Sequence, residues 1–152
     1  MNFREAKNSD SENVKALIFD ILKDYGLKID PEKTDADLND IEAFYQNRNG
    51  AFDLLIDDFG NIIATVGIYK IDASTCELRK MYLLKSERGK GCGKLLLNRA
   101  LEKAKTLGYN KIILETASAL KEAITLYEKY GFIRYFPDHL SNRCDQAYYL
   151  EL

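Results

Sequence analysis

The sequence predicts a mixed α/β fold: a central mixed sheet of about seven strands with helices on both faces. Three observations support this prediction. Strand and helix patterns follow one another in the order β, α, α, β, β, β, α, β, α, β, β. The turn over residues 57–61 joins two strands as a hairpin, so these strands are antiparallel. The strand–helix–strand segment over residues 76–115 requires a parallel pair, so the sheet must be mixed.

The N-terminal third predicts one strand and two helices. Residues 2–7 form the strand, and the capping-box spacing of Ser9 and Glu12 begins the first helix, which ends at Gly26. Its buried stripe contains Val14, Leu17, Ile18, Ile21, Leu22 and Tyr25. A second helix is expected to begin at Thr34 and to end near residues 49–50. Its apolar side contains Leu38, Ile41 and Tyr45.

The central segment predicts three strands, over residues 52–56, 62–71 and 76–84. The third strand alternates in polarity, and strict alternation would divide its side chains between two faces. One face would carry Leu78, Lys80 and Tyr82, and the other Glu77, Arg79, Met81 and Leu83.

The C-terminal part predicts two more helices and three more strands. The first helix follows a glycine-rich loop, ends at Gly108 and buries Leu96, Leu97, Ala100, Leu101, Ala104 and Leu107. A buried strand over 111–115 and a helix from about 120 to 130, ended by Gly131, come next. The last two strands lie near 132–136 and 146–150.

Composition excludes several classes of function. The 152 residues fit one domain, and a net charge of −2 without a basic run argues against nucleic-acid binding. No apolar stretch is long enough to span a membrane, and the N-terminus lacks a signal-peptide pattern, so we expect a cytoplasmic protein. Cys76, Cys92 and Cys144 form no cluster with the single histidine, His139, so we expect no metal site.

The loop over residues 88–94, Arg-Gly-Lys-Gly-Cys-Gly-Lys, predicts a phosphate site. It joins a strand to the first turn of a helix, and its alternating glycines let a ligand approach the backbone closely. The helix N-terminus supplies free N–H groups and partial positive charge, to which Arg88, Lys90 and Lys94 add full charges.

The spacing of the loop does not fit the two common nucleotide motifs. A Walker loop requires Ser or Thr after Gly93-Lys94, where Leu95 stands, and Arg88 occupies the position of its first glycine. A dinucleotide fingerprint requires its third glycine one residue later and directly after the first strand of the fold. A merely tight turn is the remaining alternative.

Two segments together resemble the GNAT acetyltransferase superfamily. The run over 88–93 is similar to its acetyl-CoA-binding motif, Arg/Gln-x-x-Gly-x-Gly/Ala, and follows the strand residues Met81, Tyr82 and Leu83. The segment over 123–132, Ala-Ile-Thr-Leu-Tyr-Glu-Lys-Tyr-Gly-Phe, resembles A-x-x-L-Y-E-K-x-G-F. The resemblance covers about residues 76–136. One departure is Leu120, where the family often has a cofactor-binding asparagine.

The resemblance implies that acetyl-CoA is the acyl donor and that the sheet splits beside the third strand of the central segment. Backbone groups of Met81, Tyr82 and Leu83 would pair with the pantetheine arm. The amides of Arg88, Gly89, Lys90, Gly91, Cys92, Gly93 and Lys94 would hold the pyrophosphate. The family often dimerises through its last strands, so a homodimer is possible.

The expected reaction is transfer of an acetyl group from acetyl-CoA to a primary amine, with Tyr127 and Glu77 as catalytic residues. By resemblance, Tyr127 protonates the departing thiolate, although its helical spacing also fits a core residue. Glu77 is the candidate base, directly or through water, with an ion pair to Arg79 as its alternative role. Glu115 is a second candidate base. Cys92 fits a small buried side chain better than a covalent nucleophile, so we expect direct transfer in a ternary complex.

The acceptor is expected between the first two helices and the segment that joins the last strands. The ionisable residues of these regions are Asp30, Asp35, Asp37, Asp40, His139, Arg143 and Asp145. The acidic groups could attract an amine, although charge on a helix face is usually only solvated and His139 fits a surface loop. A small-molecule amine is favoured. A non-catalytic acyl-CoA-binding regulatory module is the alternative function, because it would share the glycine loop.

Overall fold

Seven strands form one mixed sheet in the computed structural model, which describes residues 1–152. The strands are β1 (Asn2–Glu5), β2 (Ala51–Ile56), β3 (Ile62–Lys70), β4 (Thr75–Leu83), β5 (Lys111–Thr116), β6 (Ile133–Tyr135) and β7 (Gln146–Glu151). The α-helices are α1 (Ser11–Asp24), α2 (Ile41–Phe44), α3 (Cys92–Thr106) and α4 (Lys121–Lys129). The spatial order is β1-β2-β3-β4-β5-β7-β6. The predicted fold class and element order are confirmed.

Only the pair β4–β5 is parallel, because α3 carries the chain from the end of one strand back to the start of the other. Every other neighbouring pair is antiparallel. The sheet separates two hydrophobic clusters. Side chains of α3 and α4 pack on one face, and those of α1 and α2 pack on the other. The prediction of helices on both faces is therefore confirmed.

The strands β4 and β5 pair over a short distance and then separate. Their register joins Thr75–Glu77 to Lys111–Ile113 and goes no further. Beyond that point β4 stays paired with β3, and β5 stays paired with β7 through Thr116. The facing edges of β4 and β5 therefore enclose a wedge-shaped gap inside the sheet, and the backbone of β4 from Leu78 onward has no neighbouring strand on that side.

A bulge interrupts β4 at Lys80, which has a positive φ of 53°. Thr65 pairs with Tyr82 and Gly67 with Arg79, so Lys80 and Met81 together oppose one residue of β3. The carbonyl of Lys80 accepts a hydrogen bond of 2.6 Å from the Thr65 hydroxyl.

The bulge makes the predicted division of β4 into two faces wrong. Met81 and Leu83 pack in the cluster of α3, together with Leu78. Tyr82 packs in the opposite cluster, on the side of α1. The extra residue reverses the alternation of side chains, and Tyr82 therefore faces the same side as Glu77 rather than the side of Leu78.

The predicted start of the first helix and the continuous second helix are also wrong. A 3₁₀ turn over 8–10 precedes α1, and the carboxylate of Asp10, rather than Ser9, accepts the backbone N–H of Lys7 at 2.8 Å. The second helix is broken into a 3₁₀ turn over 36–39, the short α2 and a 3₁₀ turn over 46–48. Its predicted apolar side is nevertheless confirmed, since Leu38, Ile41 and Tyr45 are fully buried.

Candidate active site

Two cavities occupy the gap between β4 and β5. The larger one, the polar cavity, has a volume of about 410 Å³ and lies toward the α1–α2 loop and the β6–β7 segment. Its lining includes Lys33, Thr34, Glu77, Arg79, Lys80, Tyr82, Glu115, His139, Ser141, Arg143 and Cys144. The prediction that these two regions would border one site is therefore supported by the geometry.

The second, or apolar, cavity has a volume of about 320 Å³, and 10 of its 14 lining residues are hydrophobic. It runs from the glycine loop along β4 to α4. Its lining includes Ile21, Tyr25, Leu83, Arg88, Gly89, Gly93, Leu96, Glu122, Ala123 and Leu126. Both cavities share Met81, Tyr82, Leu120 and Tyr127, so they meet at one point in the sheet.

The glycine loop presents an unbroken row of free backbone donors. Gly89 and Gly91 have φ values of 77° and 83°, and an added Cβ at either would meet open space. None of the N–H groups of residues 89–94 donates to an acceptor in the protein. The first internal bond of α3 comes from Leu95 to the carbonyl of Gly91. Such a row at a helix N-terminus binds an anion, with phosphate as the common ligand.

Two of the three basic side chains near this row have protein partners. The guanidinium of Arg88 donates to the carbonyl of Leu83 at 3.3 and 3.4 Å and lies 4.9 Å from the centre of the Tyr25 ring. Lys90 pairs with Glu87 at 3.2 Å. Lys94 is exposed in the first turn of α3. Arg88 therefore stiffens the end of β4 while it adds positive charge beside the free amides.

Tyr127 is a core residue, as one of the two sequence interpretations predicted, and its position is compatible with the proton-donor role of the other. Its ring is buried and packs against Phe132 and Tyr148, at centroid distances of 5.6 and 6.5 Å. Its hydroxyl points into the junction of the two cavities, 3.9 Å from the sulfur of Met81. Burial raises the pKa of Tyr127 well above its usual range, so the phenol keeps its proton at neutral pH.

Glu77 lies where the strands separate and contacts Arg79. The Nε of Arg79 donates to Oε1 of Glu77, so the predicted ion pair is present. Burial raises the pKa of Glu77, although the positive charge of Arg79 opposes the shift. The second candidate base, Glu115, also lines the polar cavity, and its Oε1 accepts the backbone N–H of Ser141 at 2.8 Å.

A buried ion network forms the base of the polar cavity. The Asp35 carboxylate accepts two hydrogen bonds from Arg143, at 2.6 and 2.8 Å, and one from Nζ of Lys80 at 2.8 Å. Lys80 also donates to the carbonyl of Thr34 at 2.9 Å and lies 3.4 Å from Asp37. The expectation that such acidic groups are simply solvated is wrong for Asp35 and Asp37, whose side chains are almost completely buried.

Two further tyrosines belong to the site. Tyr82 was expected to contribute only backbone groups, but its side chain lines both cavities, and burial raises its pKa to about 12. Tyr25, at the end of α1, donates to Glu122 at 3.1 Å across the mouth of the apolar cavity. The bulge that turns Tyr82 inward has no local sequence signal, and the contact of Tyr25 joins residues distant in the chain.

The remaining predicted residues differ in position. Cys92 is buried in the core under α3, as expected for a small apolar side chain. His139 is exposed at the rim of the polar cavity. Asp30 and Asp40 cap local turns outside the cavity, and Asp145 binds Ser118. No group of three or more His, Cys, Asp or Glu side chains is arranged to hold a metal ion. No helix has the length and hydrophobicity needed to cross a membrane.

Comparison with known proteins identifies relatives over most of the chain. The model of the acetyltransferase (GNAT) family matches residues 16–132. An uncharacterised N-acetyltransferase of Escherichia coli (strain K12), YjgM, is 37% identical over 128 residues, which cover 81% of this chain and 76% of the relative.

Solved structures agree with the sequence comparison. A GNAT-family acetyltransferase of Staphylococcus aureus Mu50 superposes with a TM-score of 0.91 at 29% identity, over 99% of this chain and 98% of the other. The phosphinothricin acetyltransferase of Sinorhizobium meliloti, solved in complex with acetyl-CoA, has a TM-score of 0.74 at 18% identity. That match covers 97% of this chain and 85% of the other, and it supports the fold alone.

Proposed function

Because the chain belongs to the GNAT family of N-acetyltransferases, we propose that it transfers the acetyl group of acetyl-CoA to the primary amine of a small molecule. The observation that carries this proposal is the meeting of two cavities at Met81, Tyr82, Leu120 and Tyr127. A donor in the apolar cavity and an acceptor in the polar cavity would bring thioester and amine together there. This arrangement supports direct transfer in a ternary complex, since proximity alone lowers the barrier strongly.

The donor half of the site fits acetyl-CoA. The free amides of residues 89–94 suit a pyrophosphate, and the unpaired edge of β4 at Met81–Leu83 suits the amides of the pantetheine arm. The apolar walls suit the methylene groups of the same arm. Acetyl-CoA supplies an activated acyl group with a thiolate as the leaving group.

The side chains at the junction of the two cavities would accept and donate the protons of the reaction. An alkylamine is mostly protonated at neutral pH, so Glu77 would accept a proton from the amine, directly or through water. The N–C bond forms as the C–S bond breaks, and the departing sulfur needs a proton. Tyr127 would donate it, because its buried phenol is protonated and its hydroxyl faces the junction. Both side chains then exchange protons with solvent.

Isothermal titration with acetyl-CoA tests the donor assignment, with ATP and NAD as controls. Gly91→Asp places a carboxylate among the free amides, and like charges in contact cost several kcal/mol, so acetyl-CoA affinity should fall about tenfold or more. Gly60→Asp is the matched control. This turn glycine also has a positive φ, 86°, and open surroundings, but it lies between β2 and β3. Equal affinity in both variants would refute the loop assignment.

Thiol release in the presence of an amine panel tests the transferase assignment. Acetylation of at least one small amine supports it. Tight binding of acetyl-CoA without turnover on any amine would instead favour an acyl-CoA-binding regulatory module. A cytoplasmic location and a homodimer stay predictions, which cell fractionation and light scattering would test.

A further inference from the structure

The wall of the polar cavity contains an arginine with unmatched hydrogen-bond donors. A guanidinium has five N–H donors, and Arg79 uses only Nε, on Glu77. Neither of its terminal nitrogens donates to an acceptor in the protein. Its plane lies over the ring of Tyr69, with 3.6 Å between the guanidinium carbon and the ring centroid. The ion pair and the ring hold the guanidinium in place while its outer edge faces the cavity.

The other buried cations of the cavity are already paired. Lys80 is bound by Asp35 and by the carbonyl of Thr34, and Arg143 forms a two-bond pair with Asp35. Lys33 lines the cavity without an ion pair but is exposed at its rim. Arg79 is therefore the one fixed cation in the cavity whose donors remain for a ligand.

We infer that the acceptor is an amino acid, whose carboxylate binds the terminal nitrogens of Arg79 while its amine lies beside Glu77. This inference rests on the proposed transferase function and specifies its substrate class. A carboxylate accepts two parallel hydrogen bonds from a guanidinium, and such charge-assisted pairs are about twice as strong as neutral ones.

The contact between Glu77 and Arg79 also limits the length of the acceptor. Because the two side chains touch, the groups that they bind must lie close together in the ligand. One or two carbon atoms between amine and carboxylate fit that spacing. A polyamine fits poorly, since its second cation would meet Arg79 and Lys33.

Steady-state acetylation of the twenty L-amino acids and of their carboxamides tests the inference. Each pair differs only in the carboxylate. For at least one pair we expect kcat/KM for the acid to exceed that for the amide by about tenfold or more, the worth of one charge-assisted pair. Arg79→Gln should reduce this ratio to about one, mainly through KM of the acid, and Arg79→Lys should restore part of it.

Controls separate this inference from the proposed function. Arg134→Gln removes an exposed arginine of β6 that lies over Phe136, outside the cavity, and should keep the full ratio. Better turnover of the carboxamides or of spermidine by the wild type would overturn the amino-acid assignment and leave the transferase function intact. An acid preference that survives Arg79→Gln would also overturn it. Binding of acetyl-CoA without turnover on any of these amines would overturn the amino-acid assignment, and lack of turnover on the wider amine panel as well would refute the transferase function.

Discussion

Asp35 neutralises two buried cations, so its replacement tests how the polar cavity is held together. Asp35→Asn keeps the volume of the side chain and removes its charge. Lys80 and Arg143, whose side chains are 5% and 9% exposed, would lose the carboxylate that they share, and Asp37, 3.4 Å from Lys80, would be the only anion left beside them. Removing one partner of a buried ion pair usually costs about 3–5 kcal/mol.

That loss is large against the total stability of a domain, about 5–15 kcal/mol. With a urea dependence of about 2 kcal/mol per molar, a loss of 3 kcal/mol lowers the unfolding midpoint by about 1.5 M. Circular dichroism during urea titration measures this midpoint. Asp58→Asn is the matched control, because Asp58 pairs only with the N-terminal amine and its side chain is 86% exposed. Its midpoint should stay unchanged within error.

The same variant should change how the stability of the protein falls at acid pH. Burial alone would raise the pKa of Asp35, but the hydrogen bonds from Arg143 and the charge of Lys80 hold it well below its usual range. A lowered folded-state pKa stabilises the protein above the unfolded value of about 3.9. This contribution is lost as the pH falls from about 4 through the folded-state pKa. Asp35→Asn lacks it, so its stability should fall less steeply below pH 4. A urea midpoint of Asp35→Asn within about 0.5 M of the wild type would show that the shared carboxylate is not needed for stability. An unchanged dependence of stability on pH below about 4 would show that Asp35 does not cause the acid sensitivity.

Three further predictions concern the proposed chemistry. Tyr127→Phe should leave acetyl-CoA affinity nearly unchanged and lower kcat by about 10²–10⁴, as for loss of a general acid; a normal kcat would mean that Tyr127 only packs the core. Glu77→Gln should remove the acid limb of the profile of kcat/KM against pH, which in the wild type rises through the raised pKa of Glu77; if Glu115→Gln removes it instead, Glu115 is the base. Cys92→Ala should stay active in the thiol-release assay, since Cys92 is buried under α3; a folded but inactive variant would indicate a covalent route.

Local signals in the sequence were sufficient for the element order and for the glycine loop. Helical stripes, the turn at residues 57–61 and the glycines at 26, 108 and 131 each act within a few residues, and the observed elements follow them. The donor half of the candidate site is likewise local, because its free amides come from one continuous segment.

The acceptor half depends on contacts between distant residues, and sequence patterns do not contain them. Asp35 and Arg143 are 108 positions apart, and each alone resembles an ordinary charged loop residue. The break in the second helix follows the same network, because Asp35 and Asp37 turn inward to meet Lys80. The bulge itself places a lysine at positive φ, a conformation for which lysine has no preference.

The bulge also determines whether the odd-numbered or the even-numbered residues of β4 face a given side of the sheet. Before Lys80, the odd-numbered residues Glu77 and Arg79 lie on the face of the sheet that carries Tyr69, whereas after it the even-numbered Tyr82 lies on that face. Deleting one residue at the bulge would restore a regular ladder and leave Tyr82 opposite Thr65, on the same face as Arg79. Inserting one residue between the bulge and Tyr82 would instead exchange Tyr82 with a hydrophobic neighbour at the junction, even though the strand would remain paired with β3.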